Sequence, residues 1–166
     1  NFLTPHLFQS AGANLANPDP LFYPKAFAFC EKIPVSQKRN RASCFGSFGK
    51  EFVVLANERN VQSVENMGSD KLTKIYEWCR MATTEGVKPC LDSALQSLFW
   101  GGENKRNVAV GFCSVMGDKS NQDFCFDRLI GAVAYYIDDM QYYTEFCHEL
   151  PEAYQKQCTT QLLKTS

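Results

Sequence analysis

The 166-residue sequence predicts an all-α protein, an array of about four disulfide-linked helical hairpins behind an extended N-terminal arm. Three observations carry this prediction. The eight cysteines fall into four near-neighbour couples, Cys30/Cys44, Cys79/Cys90, Cys113/Cys125 and Cys147/Cys158, with 10 to 13 residues between the members of each. The couples recur at a fixed period, 34 residues from Cys79 to Cys113 and 34 again from Cys113 to Cys147, while Cys30 to Cys79 is longer by fifteen. Periods of this length mark stacked supersecondary repeats. After the second cysteine, apolar residues return at helix spacing, as Leu91, Ala94, Leu95, Leu98 and as Phe126, Leu129, Ile130, Val133.

Each hairpin therefore places helix A before its first cysteine and helix B after its second. Residues 1–20, with Pro5, Pro18 and Pro20, read as the extended arm. The A helices are expected near 21–30, 70–79, 104–113 and 139–147, each with an aromatic residue before its cysteine: Phe29, Trp78, Phe112 and Phe146. The B helices are expected near 43–57, 90–100, 123–137 and 151–164. Between them lie breakers, Ile33-Pro34, Gly86 with Pro89, Gly117-Asp118 and Leu150-Pro151, which disfavour one continuous helix through a couple. Gly101-Gly102 ends one B helix, and Asp138-Asp139 caps the last A helix. Residues 58–69 read as an inserted loop. In the last unit the stripe fades to Thr159, Leu162, Leu163 and Ser166, as suits a terminal repeat with no neighbour to cover. The hairpins, over one domain at 21–166, form either an α-solenoid or a compact bundle.

Zinc does not explain the cysteines. Metal knuckles need two to four residues between ligands, and the chain has two His in all. Disulfides between near neighbours fit the spacing. Each closes a loop of about 11 to 15 residues and contributes on the order of 3 kcal/mol in the chain-entropy picture. Such bonds persist in oxidising compartments, so a secreted, periplasmic or cell-surface location is expected, with the mitochondrial intermembrane space as a minor alternative. The first residue is Asn1 rather than Met, with no charged or apolar leader, as expected of a mature chain after signal removal.

The 34-residue helix-turn-helix period, taken with the disulfide in each hairpin, resembles tetratricopeptide and Sel1-like repeats, above all the cysteine-rich Sel1-like proteins that some bacteria export. The resemblance covers residues 21–164, with Lys88-Pro89-Cys90-Leu91 and Asp123-Phe124-Cys125-Phe126 at the positions of that family's signature. It implies the architecture and carries over no binding residue. A second resemblance, to twin Cys-x(9)-Cys hairpins of the mitochondrial intermembrane space, implies cysteines paired across two helices.

Net charge is −1 with a pI near 6.2, so no global positive field gathers nucleic acid or an anionic membrane. The longest apolar run, Leu129 to Ile137, is half the length of a membrane span. No nucleic-acid partner, membrane span or cofactor is expected.

Candidate sites were weighed against structural readings. Cys44-Phe45-Gly46-Ser47-Phe48-Gly49-Lys50-Glu51 has glycines and a lysine near a helix start, as phosphate loops do. Its glycines are too close together, Glu51 stands where magnesium needs Ser or Thr, and no strand precedes it, so the glycines read as points of close helix approach. The oxygen-rich run Asp118 to Asp123 lacks a calcium loop's central glycine and its terminal Glu, where Leu129 stands, and reads as a solvated connector. Glu145, His148 and Glu149 lie close enough for acid–base work, although His148 at a helix end also complements the dipole. His6 sits in the arm, and no catalytic triad or metal set is expected. Lys38, Arg39 and Arg41 form a basic cluster on the longest connector, a solvated loop or a dock for an acidic partner.

Tyr135, Tyr136, Tyr142 and Tyr143 straddle the Asp138-Asp139 turn. Adjacent helical residues cannot both face inward, so part of this quartet is core and part is a contact patch. In the arm, Phe2, Leu3, Leu7 and Phe8 must lie back on their own domain or bury themselves in a neighbour, the former being favoured.

The expected function is that of an exported non-enzymatic helical-repeat protein, a protein-binding scaffold or assembly subunit of an extracytoplasmic complex. Its partner is another protein or a second copy. Thirteen Phe and seven Tyr motivate an alternative, a carrier of an apolar small molecule, and Glu145, His148 and Glu149 a third reading, an enzyme.

Overall fold

A computed structural model describes residues 3–14, 18–60, 63–101 and 106–165, and among these every regular element is helical. The elements are α1 (Leu3–Ser10), α2 (Tyr23–Glu31), α3 (Lys38–Ala56), α4 (Ser69–Arg80), α5 (Thr84–Gly101), α6 (Arg106–Ser114), α7 (Lys119–Tyr136), α8 (Met140–Glu149) and α9 (Glu152–Thr165). They fall into two compact units, Asn1–Met116 and Gly117–Ser166. Among the described residues no helix is long and apolar enough to cross a membrane.

The disulfide expectation holds. Cys30–Cys44 ties α2 to α3, Cys79–Cys90 ties α4 to α5 and Cys147–Cys158 ties α8 to α9, with Cα separations of 5.5 to 5.6 Å. Cys113 and Cys125 are disulfide-bonded as well, and no cysteine is free.

Three expectations about local structure need correction. Residues 3–10 of the supposedly extended arm are helical. Pro5 falls in the first turn, where a backbone N–H has no intrahelical partner to lose. The helix also has somewhere to go: Leu7 and Phe8 are buried, and the Phe8 ring meets Tyr23 at 5.4 Å and Phe48 at 5.5 Å. Second, α3 begins at Lys38 rather than near 43, so the basic cluster is its first turn and not a loop. Likewise the oxygen-rich run after Asp118 is the first turn of α7, with the Asp118 carboxylate accepting from the Asn121 N–H. Third, α5 begins at Thr84 and runs through both Gly86 and Pro89. Pro89 forgoes one hydrogen bond, to the Glu85 carbonyl. Packing against α3 outweighs that loss, because a Cβ at Gly86 would lie 2.5 Å from the Phe45 ring and its absence leaves a seat for that ring.

In unit 1, α3 is the hub: α1, α2, α4 and α5 all pack on it, α5 most extensively. A methyl group at Gly49 would overlap the Cys90 carbonyl oxygen and sit 2.9 Å from the Ala94 nitrogen, and one at Gly46 would be 2.6 Å from Ser93 Oγ. The glycines thus allow close helix approach, as read from the sequence. The two helices run parallel, since Arg41, Phe45 and Gly49 meet Glu85, Gly86 and Cys90 in the same order. Around this axis the rings of Phe8, Tyr23, Phe27, Phe45, Phe48, Phe52 and Trp78 interlock at centroid distances of 4.5 to 6.1 Å. Tyr23 donates its hydroxyl to the Pro18 carbonyl at 3.4 Å. Burial, helped by Asp19 and Glu51, raises its phenol well above the ordinary range.

The inserted segment is more ordered than a loop. Glu58 and Arg59 take left-handed backbone (φ 53° and 61°), Asn57 Nδ2 donates to the Asn60 carbonyl, and a 3₁₀ turn at Val64–Asn66 buries Val64 and Met67.

In unit 2, α9 packs on both α7 and α8. The Tyr154 ring stacks on Phe126 at 4.2 Å and its hydroxyl donates to Asp123 Oδ1 at 2.7 Å, while Lys119 also pairs with that carboxylate. The Asp139 carboxylate accepts from the N–H groups of Gln141 and Tyr142, the expected cap of α8.

Two alanine substitutions should move stability in opposite directions. Alanine is intrinsically the better helix residue by about 1 kcal/mol, but at Gly49 overlap with the Cys90 backbone dominates and Gly49→Ala is expected to destabilise by about 1 to 3 kcal/mol. At Gly131, where nothing lies within 4 Å of the added methyl, Gly131→Ala should stabilise by up to about 1 kcal/mol. Denaturant midpoints under non-reducing conditions measure both.

Candidate functional site

Where α2 ends and α3 begins, the parallel pairing of α3 with α5 assembles a small polar end. Arg41, in the first turn of α3, reaches back over the C-terminus of α2. Its Nη1 donates to the carbonyl oxygens of Glu31 at 2.5 Å and Ile33 at 2.6 Å, groups that the helix itself leaves without partners. Nη2 pairs with the Glu85 carboxylate in the first turn of α5. This hydrogen bond holds the Glu85 carboxyl below its ordinary value of 4.5 and raises the guanidinium. Nε is buried and meets no acceptor among the described residues.

Beside this clamp lies a half-open cavity of about 170 Å³ lined by Val35, Lys38, Arg41, Ala42, Phe45 and Glu85. Phe45 forms a buried aromatic wall, and Val35 is an apolar rim, 66% exposed. Lys38, on its rim, is exposed, as is Arg39, the next residue in sequence. Among the lining residues two cations, Lys38 and Arg41, stand against one carboxylate, Glu85, so the lining is net positive. Of the basic cluster, Arg41 is committed within its own unit, while Lys38 and Arg39 remain available to a partner.

The tyrosine quartet divides as adjacency demands. Tyr143 is buried and donates its hydroxyl to the Cys158 carbonyl at 3.2 Å, and burial raises its phenol. Tyr142 is half-buried. Tyr135 and Tyr136, at the end of α7, are 78% and 59% exposed, with their rings edge to face at 4.7 Å. Met140 at the start of α8 is also exposed, as are Asp138 and Asp139 in the turn. The corner that remains is aromatic and acidic.

The remaining candidates distribute differently. Leu7 and Phe8 are core, while Phe2 and the side chain of Leu3 lie outside the described residues. Glu145, His148 and Glu149 share an exposed surface of α8, where Glu145 accepts from Gln141 Nε2 and the His148 carbonyl accepts from Gln155 Nε2. All three side chains are exposed, so water screens their charges. Gly46 and Gly49 lie inside α3, facing α5, with no anion cradle at their amides. Among the described residues no cluster of three or more His, Cys, Asp or Glu could hold a metal ion. The sequence reading missed Val35, Ala42, Phe45 and Glu85 as pocket residues. Glu85 stood in a segment whose Gly86 and Pro89 argued against helix, and nothing local signals that α3 and α5 lie in parallel.

Comparison of the chain with known protein families, with curated proteins and with solved structures finds no match.

The Arg41–Glu85 pair gives a pH test with a definite sign. The Glu85 carboxyl is depressed in the folded state, so its contribution is in place above the ordinary carboxylate range and is lost as pH falls through its folded value. A double-mutant cycle on Arg41→Gln and Glu85→Gln should show favourable coupling at neutral pH that fades as the pH falls below the ordinary carboxylate range. Unfolding titrations of the four proteins across that range measure it.

Proposed function

We propose that this is an exported, non-enzymatic helical-repeat protein that presents a rigid surface to another protein, as a scaffold or accessory subunit of an extracytoplasmic assembly. The carrying observation is the pocket at the start of α3. It has an aromatic wall, an exposed apolar rim at Val35 and an exposed cation at Lys38, with the exposed Arg39 next in sequence, set on helices that disulfides tie together. Such a surface loses little conformational freedom on binding, and preorganisation of this kind is what converts a modest contact area into affinity. Four bridges from eight cysteines suit an oxidising compartment, and we read that compartment as the cell exterior or periplasm. We further read the 34-residue recurrence as a Sel1-like array, whose stacked hairpins supply extended faces for partners.

The alternative of an apolar carrier gains no support from the aromatic content, because most of the rings in unit 1 are spent on one another in the core.

Purification from the native source is the test. The protein should elute with a defined protein partner, and a K38E/R39E variant, altered only at exposed side chains, should lose that partner while Gly131→Ala retains it. A wild-type protein recovered alone, as a monomer by native mass measurement, overturns the reading.

A further inference from the structure

We infer that the pocket at the start of α3 receives the tyrosine corner of a second copy of this chain, so that copies join head to tail. The inference rests on the surface-presenting role proposed above and names its partner.

Two patches on the chain complement each other in shape, polarity and charge. The first is concave: about 170 Å³ of space, room for one aromatic side chain, between the buried Phe45 ring and the exposed Val35, with Lys38 and Arg41 against Glu85 making its lining net positive and the exposed Arg39 next to Lys38 in sequence. The second projects: Tyr135 and Tyr136 stand 78% and 59% exposed beside Met140, next to Asp138 and Asp139. A tyrosine entering the pocket meets an aromatic wall on one side and ammonium or guanidinium groups on the other. Edge-to-face and cation–π contacts both reward that placement. The two aspartates then come opposite Lys38 and Arg39, and Met140 covers Val35. Unlike signs at the rim direct the encounter and disfavour pocket-to-pocket or corner-to-corner pairing, where like charges would meet.

Both patches are open in the single chain, so each copy offers one socket and one plug. Such an interface is heterologous: it continues from copy to copy until a ring closes, and otherwise extends. This sets it apart from a two-fold dimer, in which one patch meets itself. Charge at the rim also makes the association sensitive to salt over the range in which exposed charges are screened.

The experiment is sedimentation velocity on the oxidised full chain over a concentration series, at low and at high salt. Wild type should form species beyond the dimer at low salt and lose them at high salt. K38E/R39E, which spoils the socket, and Y135S/Y136S, which spoils the plug, should each be monomeric alone. Mixed in equal amounts they should give a one-to-one complex and nothing larger, because one intact socket meets one intact plug. Asp138→Lys should weaken wild-type association about tenfold or more and regain it against K38E/R39E. Wild type that stays monomeric throughout overturns the inference, as does self-association that either double variant leaves intact, or a variant mixture that remains monomeric. A monomeric wild type that still holds another protein through Lys38 and Arg39 sinks self-assembly alone and leaves the proposed function standing.

Discussion

α3 and α5 lie so close at Gly46 and Gly49 that a methyl group on either glycine would collide with Ser93 or with the backbone of Cys90, and the rest of unit 1 is arranged around that contact. Two helices at such a distance leave little choice of register. Phe45 must enter the notch at Gly86, and Arg41, one turn earlier, must then meet Glu85. The clamp on the α2 carbonyls and the adjoining pocket are consequences of that register. A local sequence rule misjudges Pro89 for the same reason: a helix held over much of its length by a neighbour tolerates the loss of one hydrogen bond near its start.

Disulfides act at a different level. They fix which helices are neighbours within a hairpin, but leave open how one hairpin packs on another. Each links positions 11 to 14 apart in sequence, so each removes freedom chiefly from the unfolded hairpin. The effect weighs most in unit 2, some fifty residues in three helices. A unit of that size buries a smaller fraction of its surface than a larger domain does, so its core alone is only marginally stabilising. There the bridge between α8 and α9 is seconded by polar contacts, the buried Tyr143 hydroxyl on the Cys158 carbonyl and the part-buried Tyr154 hydroxyl on Asp123.

Much of this was legible in the sequence, and the division follows range. The cysteine spacing and the 3.6-residue stripes report local structure, and they place α2, α4, α6, α8 and α9 to within a few residues. The division of the tyrosine quartet follows from adjacency on a helix. What escaped was everything decided by distant contacts. Residues 3–10 wind into a helix because Leu7 and Phe8 find Tyr23 and Phe48. Lys38 to Arg41 join α3 because Arg41 has carbonyls and a carboxylate to reach. The pocket has contributions from the α2–α3 connector, α3 and α5, and no periodicity in one segment announces the face it will share with another.

Exposed aromatic groups carry the remaining argument. Unit 1 spends most of its rings internally: Tyr23 and five phenylalanines interlock, and the Tyr23 phenol is kept protonated by burial beside two carboxylates. Against that economy, Tyr135 and Tyr136 stand out as large rings left in water at a helix end, where a polar residue would serve the fold equally well. Hydration of so much apolar surface is unfavourable, and the two rings meet each other edge to face. Aspartates in the following turn keep the corner soluble, and one of them also caps α8. An exposed ring pair whose neighbours carry charge has the composition of an interface core with a polar rim. On that physical ground, rather than on any catalytic constellation, the protein is read as one that works by contact.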